Sequence, residues 1–329
     1  MTESPAQFKE AKSAGKPPVK PSCMLAKLCH DPFFEKGWIY ERKFDGERCL
    51  ILVRDGEVTL RSRNGESLND SYPELHEAFR DQDLSDMVID GEIVAFKGKV
   101  TSFSRLQDRI GIQDPEEARK SSVAVYCYVF DLFHHGKQDL SEVPLLKRKQ
   151  VLRDTLEFNH RIRYSSHRVR NGEDYYQQAH DKGWEGIMAK EADSTYVHGR
   201  SSKWLKFKCG RGQEFVIGGF TDPEGDREGF GALLIGVYDG DEFVYAGKVG
   251  TGYDDELLRS LRERMDRLER MTSPFDRGDA PDDGVHFVRP ELVCEIGFTE
   301  WTDDGRLRHP RFKGLRRDKN PEDVTRESP

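Results

Sequence analysis

The feature that most constrains this chain is a recurring punctuation. Short alternating or apolar runs are cut by Asp-Gly pairs at Asp45, Asp55, Asp90, Asp239, Asp283 and Asp304. The stretch "GWIYERKFDGERCLILV" shows the pattern. Asp-Gly between such runs predicts tight hairpins, because glycine takes positive φ at little steric cost. "RCLILV", "EVTLRSR" and "VAVYCYVFDLF" read as strands, the last apolar enough to be central, and "MVIDGEIVAF" reads as strand, turn, strand. Helical stripes interrupt them at "YPELHEAFR", "SFSRLQDRI", "VPLLKRKQVLRDTLE" and "DYYQQAHDKG", the last ended by Gly183. The fold class is therefore α+β, with antiparallel sheets carrying helices.

A length of 329 residues favours two domains. The character changes around "CGRGQ", Cys209–Gln213, where a meander of short strands begins. One clear helix follows, "DDELLRSLRERMDRLERM", with Leu257, Leu258, Leu261, Met265 and Leu268 on a stripe. Strands with a single helix predict a small OB-type barrel. The expected division is a flexible tail over 1–22, a first domain over 23–211 and the OB domain over 212–329. The lysine-bearing tail reads either as a DNA-seeking arm or as plain solubility.

A net charge of −8 argues against attachment to nucleic acid by bulk charge, though local basic strips remain open. The six cysteines show no CxxC spacing, which predicts reduced thiols in the cytoplasm. Cys29-His30 lacks a second Cys/His pair at zinc-finger spacing. No apolar run approaches the roughly 20 residues of a membrane span. No GxxxxGK[ST] is present, which excludes a P-loop enzyme.

The chemistry-bearing stretches are individually ambiguous. Lys43 in "KFDGER" is a solvated strand-end charge or a nucleophile, and the hexapeptide alone does not decide. Asp90 and Glu92 in "VIDGEIV" put carboxylates inside an apolar run, where they need pairing, hydrogen bonds or a metal. Glu185 opens "EGIMAK". Lys206 and Lys208 share one strand face, which suits an anion between them or a protected edge strand. From Arg306 to Lys319, basic residues interleave with Leu307, Phe312 and Leu315, a pattern suited to phosphate contact.

Taken in order, KFDGER, Ser62-Arg63-Asn64-Gly65, DGE, "YVFDLF", EGIMAK, KFK and "RHPRFKGLRRDK" resemble the covalent nucleotidyltransferases. Within them the set is similar to the ATP-dependent DNA ligases. The C-terminal run "VRPELVCEIGFTEWTDDGRLRHPRFKGLRRDK" most resembles the ligase module of bacterial end-joining enzymes that act with Ku. The resemblance implies an ATP-grasp-like adenylation domain followed by the OB domain. It implies sealing of nicked or broken duplex DNA in repair or end joining, with ATP and Mg²⁺, or Mn²⁺ in its place. A bacterial cytoplasm or nucleoid, a Ku-type partner and a monomeric state are implied with it.

By the same resemblance Lys43 is the nucleophile and Glu41 lies near the adenine. Arg48 and Arg63 contact nucleotide or nick phosphate. Glu92 serves ribose or metal, and Glu185 the metal. Phe130 stacks on adenine, while Lys206 and Lys208 grip the α-phosphate. Arg311, Arg317, Asp318 and Lys319 act on the outgoing pyrophosphate. Lys203, Lys313 and Arg316 join Arg48 and Arg63 on DNA. An RNA ligase or capping-type enzyme is the alternative, and a non-catalytic OB-type binder a remote one.

Overall fold

The computed structural model describes residues 9–327, apart from 211, 224, 226, 227, 299, 303 and 318. The chain divides into compact units of residues 1–209 and 210–329.

The first unit holds an eight-stranded and a five-stranded sheet. In the larger sheet Met87–Lys97 lies between Glu47–Arg54 and Val125–His135. In the smaller, Gly186–Glu191 lies between Trp38–Lys43 and Arg200–Lys208. Almost all pairings are antiparallel; Ile162–Tyr164 on Val125–His135, and Leu25–Leu28 on Arg200–Lys208, are parallel.

"ERCLILVR" is apolar on both faces because each face has its own core. Cys49, Ile51 and Val53 pack with Tyr72, Leu75 and Phe79, bringing in the helix Pro73–Arg80. Leu50 and Leu52 face the other way, toward Ile39, Phe130, Tyr196 and Trp204, which joins the two sheets. The outer face of the smaller sheet buries Tyr40, Ile187, Ala189 and Phe207 with Tyr175 and Ala179 of the helix Gly172–Asp181. That helix ends as expected, with Gly183 at φ 63°.

Two hairpin expectations are overturned. "MVIDGEIVAFK" is one continuous strand, not strand–turn–strand. Asp45-Gly46 is a crossover, since Trp38–Lys43 and Glu47–Arg54 belong to different sheets. Its glycine answers close approach, not positive φ. A Cβ on Gly46 would stand 2.2 Å from the Ile93 carbonyl oxygen. Asp45 braces the crossover by accepting the Phe103 amide at 3.0 Å.

The described part of the expected flexible tail is also seated. Lys12–Ser13 pairs with Gln138–Asp139, and Arg54 donates to the Pro17 carbonyl at 3.1 Å.

The second unit is the expected strand-rich domain with one main helix. Its sheet runs Glu242–Val249, Leu233–Asp239, Gly212–Thr221, Val285–Gly297, with Arg311–Arg316 also on Val285–Gly297. Bulges near Gly219, Gly236 and Ile296 bend it. Among the described residues the pairings leave it open. Leu258, Leu261 and Met265 of the helix Asp255–Asp266 pack into its core, and Asp254 caps that helix through the Leu257 amide at 2.9 Å.

Candidate active site

The facing sides of the two sheets carry most of the singled-out residues of the first unit. Strand register lays them out in rows on the smaller sheet. Lys43, Gly186 and Lys208 form one row, Glu41, Met188 and Lys206 the next, and Ile39, Lys190 and Trp204 the third. Gly186 puts no side chain between the lysines at the two ends of its row. The two end strands lie roughly 9–10 Å apart, two inter-strand spacings, enough for a phosphate group. A Cβ at Gly186 would come within 2.1 Å of the Phe207 carbonyl oxygen, and its φ is 151°. Glu185, just before it, forms an ion pair with the Lys43 ammonium, and both side chains are mostly buried.

Deeper in, Glu41 is buried between two ammoniums. Lys149 Nζ stands 2.7 Å and Lys190 Nζ 2.9 Å from its oxygens, and Ser165 Oγ donates at 3.2 Å. Burial pushes the Glu41 carboxyl up, but Lys149 and Lys190 outweigh it and hold the group below the usual carboxylate range. Lys149 also donates to the carbonyls of Phe130 and Ser165, at 3.1 Å each. The Phe130 ring is 7% exposed. Arg48 Cζ lies 4.8 Å and Lys190 Nζ 4.3 Å from its centre.

Asp90 is fully buried and saturated. Arg48 grips both its oxygens at 2.6 Å, and the Tyr196 hydroxyl donates at 2.6 Å. Arg48 is thus placed by Asp90, with a further bond to the Met24 carbonyl at 3.0 Å. Glu92 stands opposite Arg48 in register. Arg63 sits half-exposed in the turn after Glu57–Ser62. Burial pushes the nearby Cys23 thiol up to about 12, with Arg48 and Arg63 pulling it down and Asp90 and Glu92 raising it further.

Lys203 is set apart from these groups, exposed and ion-paired with Glu191. In the second unit, Lys313 and Arg316 lie 3.9 and 3.7 Å from Glu295, and Lys319 bonds Glu214 at 2.9 Å. Arg311 and Arg317 are exposed. Asp318 lies outside the described residues.

Sequence reasoning missed Lys149 and Tyr196. Lys149 sits in "LLKRKQ", where a lysine reads as solvated; only its packing buries it, with 1% exposed. The one available signal was the basic run Lys147-Arg148-Lys149 on a helix whose apolar stripe Arg148 and Lys149 share.

A strand-end lysine paired to a carboxylate, set between two sheets with a further lysine in register across a glycine and followed by a small strand-rich unit, defines a covalent nucleotidyltransferase. Within that class the chain belongs to the ATP-dependent DNA ligases. The family described as the ATP dependent DNA ligase domain matches residues 23–208, and the ATP dependent DNA ligase C terminal region matches 226–319. The chain is 36% identical to the multifunctional non-homologous end joining protein LigD of Pseudomonas aeruginosa, over 98% of this chain and 38% of that protein. It is 36% identical to the LigD of Mycolicibacterium smegmatis, over 88% of this chain and 37% of that protein. It therefore spans under two fifths of the length of these relatives. A structure of mycobacterial DNA ligase D complexed with ATP and MES is 31% identical, with a TM-score of 0.68, over 94% of this chain and 99% of that one. The fold is accordingly a ligase adenylation domain followed by a C-terminal OB domain.

Proposed function

We propose that this chain seals 5′-phosphate/3′-hydroxyl breaks in duplex DNA, in repair or end joining, through AMP carried on Lys43. The observation that carries the reading is the row Lys43–Gly186–Lys208 with Glu185 on the Lys43 ammonium. In the first step Lys43 Nζ loses a proton, with the Glu185 carboxylate beside it to accept it, and attacks the α-phosphorus of ATP. The N–P bond forms, the bond from α-phosphorus to the bridging oxygen breaks, and pyrophosphate leaves. Lys206 and Lys208 stabilise charge growing on the α-phosphate. The DNA 5′-phosphate then takes AMP from Lys43. Finally the 3′-hydroxyl attacks that phosphate and AMP departs.

Glu41, held ionised, is an acceptor suited to an exocyclic amine, and Phe130 offers a ring to the base. Arg48 and Arg63 serve nucleotide or nick phosphate. Lys203, Lys313 and Arg316 serve the DNA backbone. Arg311, Arg317, Asp318 and Lys319 serve pyrophosphate. Among the described residues no group of three or more acidic, histidine or cysteine side chains could hold a metal. Glu92 and Glu185 with phosphate oxygens suit Mg²⁺, which keeps waters and takes few protein ligands, or Mn²⁺. When bound, it supplies positive charge against the phosphates. A Ku-type end-binding protein is the partner we assign for double-strand ends, since the net charge of −8 disfavours tight binding to intact duplex.

The test offers the protein labelled ATP, GTP and NAD in turn and reads label transfer and intact mass. ATP should add one AMP, Lys43→Ala should abolish the transfer, and the charged enzyme should seal a nicked duplex. Transfer from GTP alone, or persistent labelling of the variant, would overturn the reading.

A further inference from the structure

Past Lys43 the facing side of the larger sheet continues into a strip of rings with Arg163, which Arg42 and Trp184 join from the edge of the smaller sheet. Phe44 stacks on Tyr128 at 4.2 Å, with planes 28° apart. Phe96 meets Tyr126 edge-on at 5.5 Å. Arg163 lies 4.1 Å over Tyr126 and donates to the Tyr128 hydroxyl at 3.0 Å. Arg42 lies 4.6 Å from the Trp184 ring and 5.6 Å from Phe44. All these side chains are half-buried, and Phe44, Phe96, Tyr126 and Tyr128 belong to none of the domain's hydrophobic cores.

The strip is also uncompensated. Among the described residues neither Arg42 nor Arg163 is in an ion pair, and Arg42 Nε and one terminal nitrogen are buried without a hydrogen-bond partner. Lys97 and Lys99, exposed at the turn beyond Phe96, are likewise in no ion pair. In a chain of net charge −8, whose surface cations are often matched by carboxylates, an unmatched positive strip stands out.

We propose that this strip binds the DNA strand carrying the break, with Arg163 on a phosphodiester oxygen, Arg42 lending its charge from among the rings, and the ring edges of Tyr126, Tyr128 and Phe96 against the sugars. Three features favour this occupant. The strip begins one residue from Lys43, where the broken strand's phosphate must arrive. Its guanidiniums are already seated on rings, so little freedom is lost when a phosphate binds. Cations interleaved with aromatic rings form the platform that nucleic-acid strands use. The inference rests on the proposed ligase reading, which supplies the substrate, but its test separates the two.

The full-length protein is compared with Arg163→Gln, Arg163→Lys, Tyr126→Ala and the exposed pair Lys97→Ala/Lys99→Ala. AMP transfer from labelled ATP to Lys43 should stay within about twofold of the parent. Affinity for a nicked duplex lacking the 3′-hydroxyl should fall about tenfold in Arg163→Gln. Its log–log salt slope should become shallower by about one, the loss of one phosphate contact. Arg163→Lys should keep the slope while losing part of the affinity. DNA affinity and slope unchanged in all four variants would overturn the proposal. So would a matching loss of AMP transfer and DNA affinity, which marks the strip as structural support. If the parent takes up AMP but seals no DNA, the ligase reading fails, and the binding comparison still judges the strip.

Discussion

The first unit buries Glu41, Asp90, Asp131, Arg148, Lys149 and Lys190, none more than 2% exposed. In the second unit the most buried charged side chain among the described residues is Glu295, at 7%. There the core is hydrocarbon and aromatic, and pairs such as Arg277 with Asp239 and Arg259 with Glu228 lie on the surface. The difference is informative because a buried ion pair is a poor way to gain stability. Desolvation of both partners offsets most of the attraction, and apolar replacements of equal volume often do as well. Charges this deep are better read as geometry: Asp90 aims Arg48, and Lys149 ties Glu41 to the backbone of Phe130. Among the described residues the second unit has no comparable interior scaffold.

Removing Asp90 should strain this contrast most. Asp90→Asn leaves the Arg48 guanidinium with no carboxylate and should cost roughly 3–5 kcal/mol of unfolding free energy in denaturant titration. A loss under about 1 kcal/mol would show that the buried pair is not holding Arg48. Lys149→Met comes next. It removes a charged hydrogen-bond donor from Glu41 and should cost about 2 kcal/mol, with slower AMP transfer than the stability loss accounts for. Parent-like transfer in a destabilised but folded variant would reduce Lys149 to plain structure.

The pH dependence sharpens the comparison further. Glu41 titrates below its ordinary range in the folded chain, so its contribution is present above the unfolded value and is lost as pH falls through the folded one. Glu41→Gln should therefore flatten the acid limb of the stability curve, below about pH 4.5. In the second unit, His286 donates to the carboxylates of Glu269 and Asp222, which raises it above the usual histidine value. Its contribution is fully present below the unfolded value and is lost as pH rises through the folded one. With a partly exposed ring this effect is the smallest. His286→Asn should cost under about 1 kcal/mol at pH 6 and nothing at pH 9, read by thermal unfolding.

Much of this molecule was legible in the chain itself. Alternation identified the strands, the apolar stripe identified the helix Asp255–Asp266, and the order of the short motifs identified the family. These signals are local, or survive as an ordered list of residues, so they can be read without coordinates. The tertiary structure alone decided the rest. Asp45-Gly46 keeps the appearance of a hairpin turn, yet the strands on either side of it enter different sheets, and its glycine serves the passage beneath Ile93. Lys149 looks like any lysine on a helix and is in fact buried against Glu41. Which sheet a strand joins, and which charge it meets there, depends on partners more than a hundred residues away, as Glu185 is from Lys43. Local pattern carries period and turn chemistry; long-range pairing is settled only when the two sheets close on a common core.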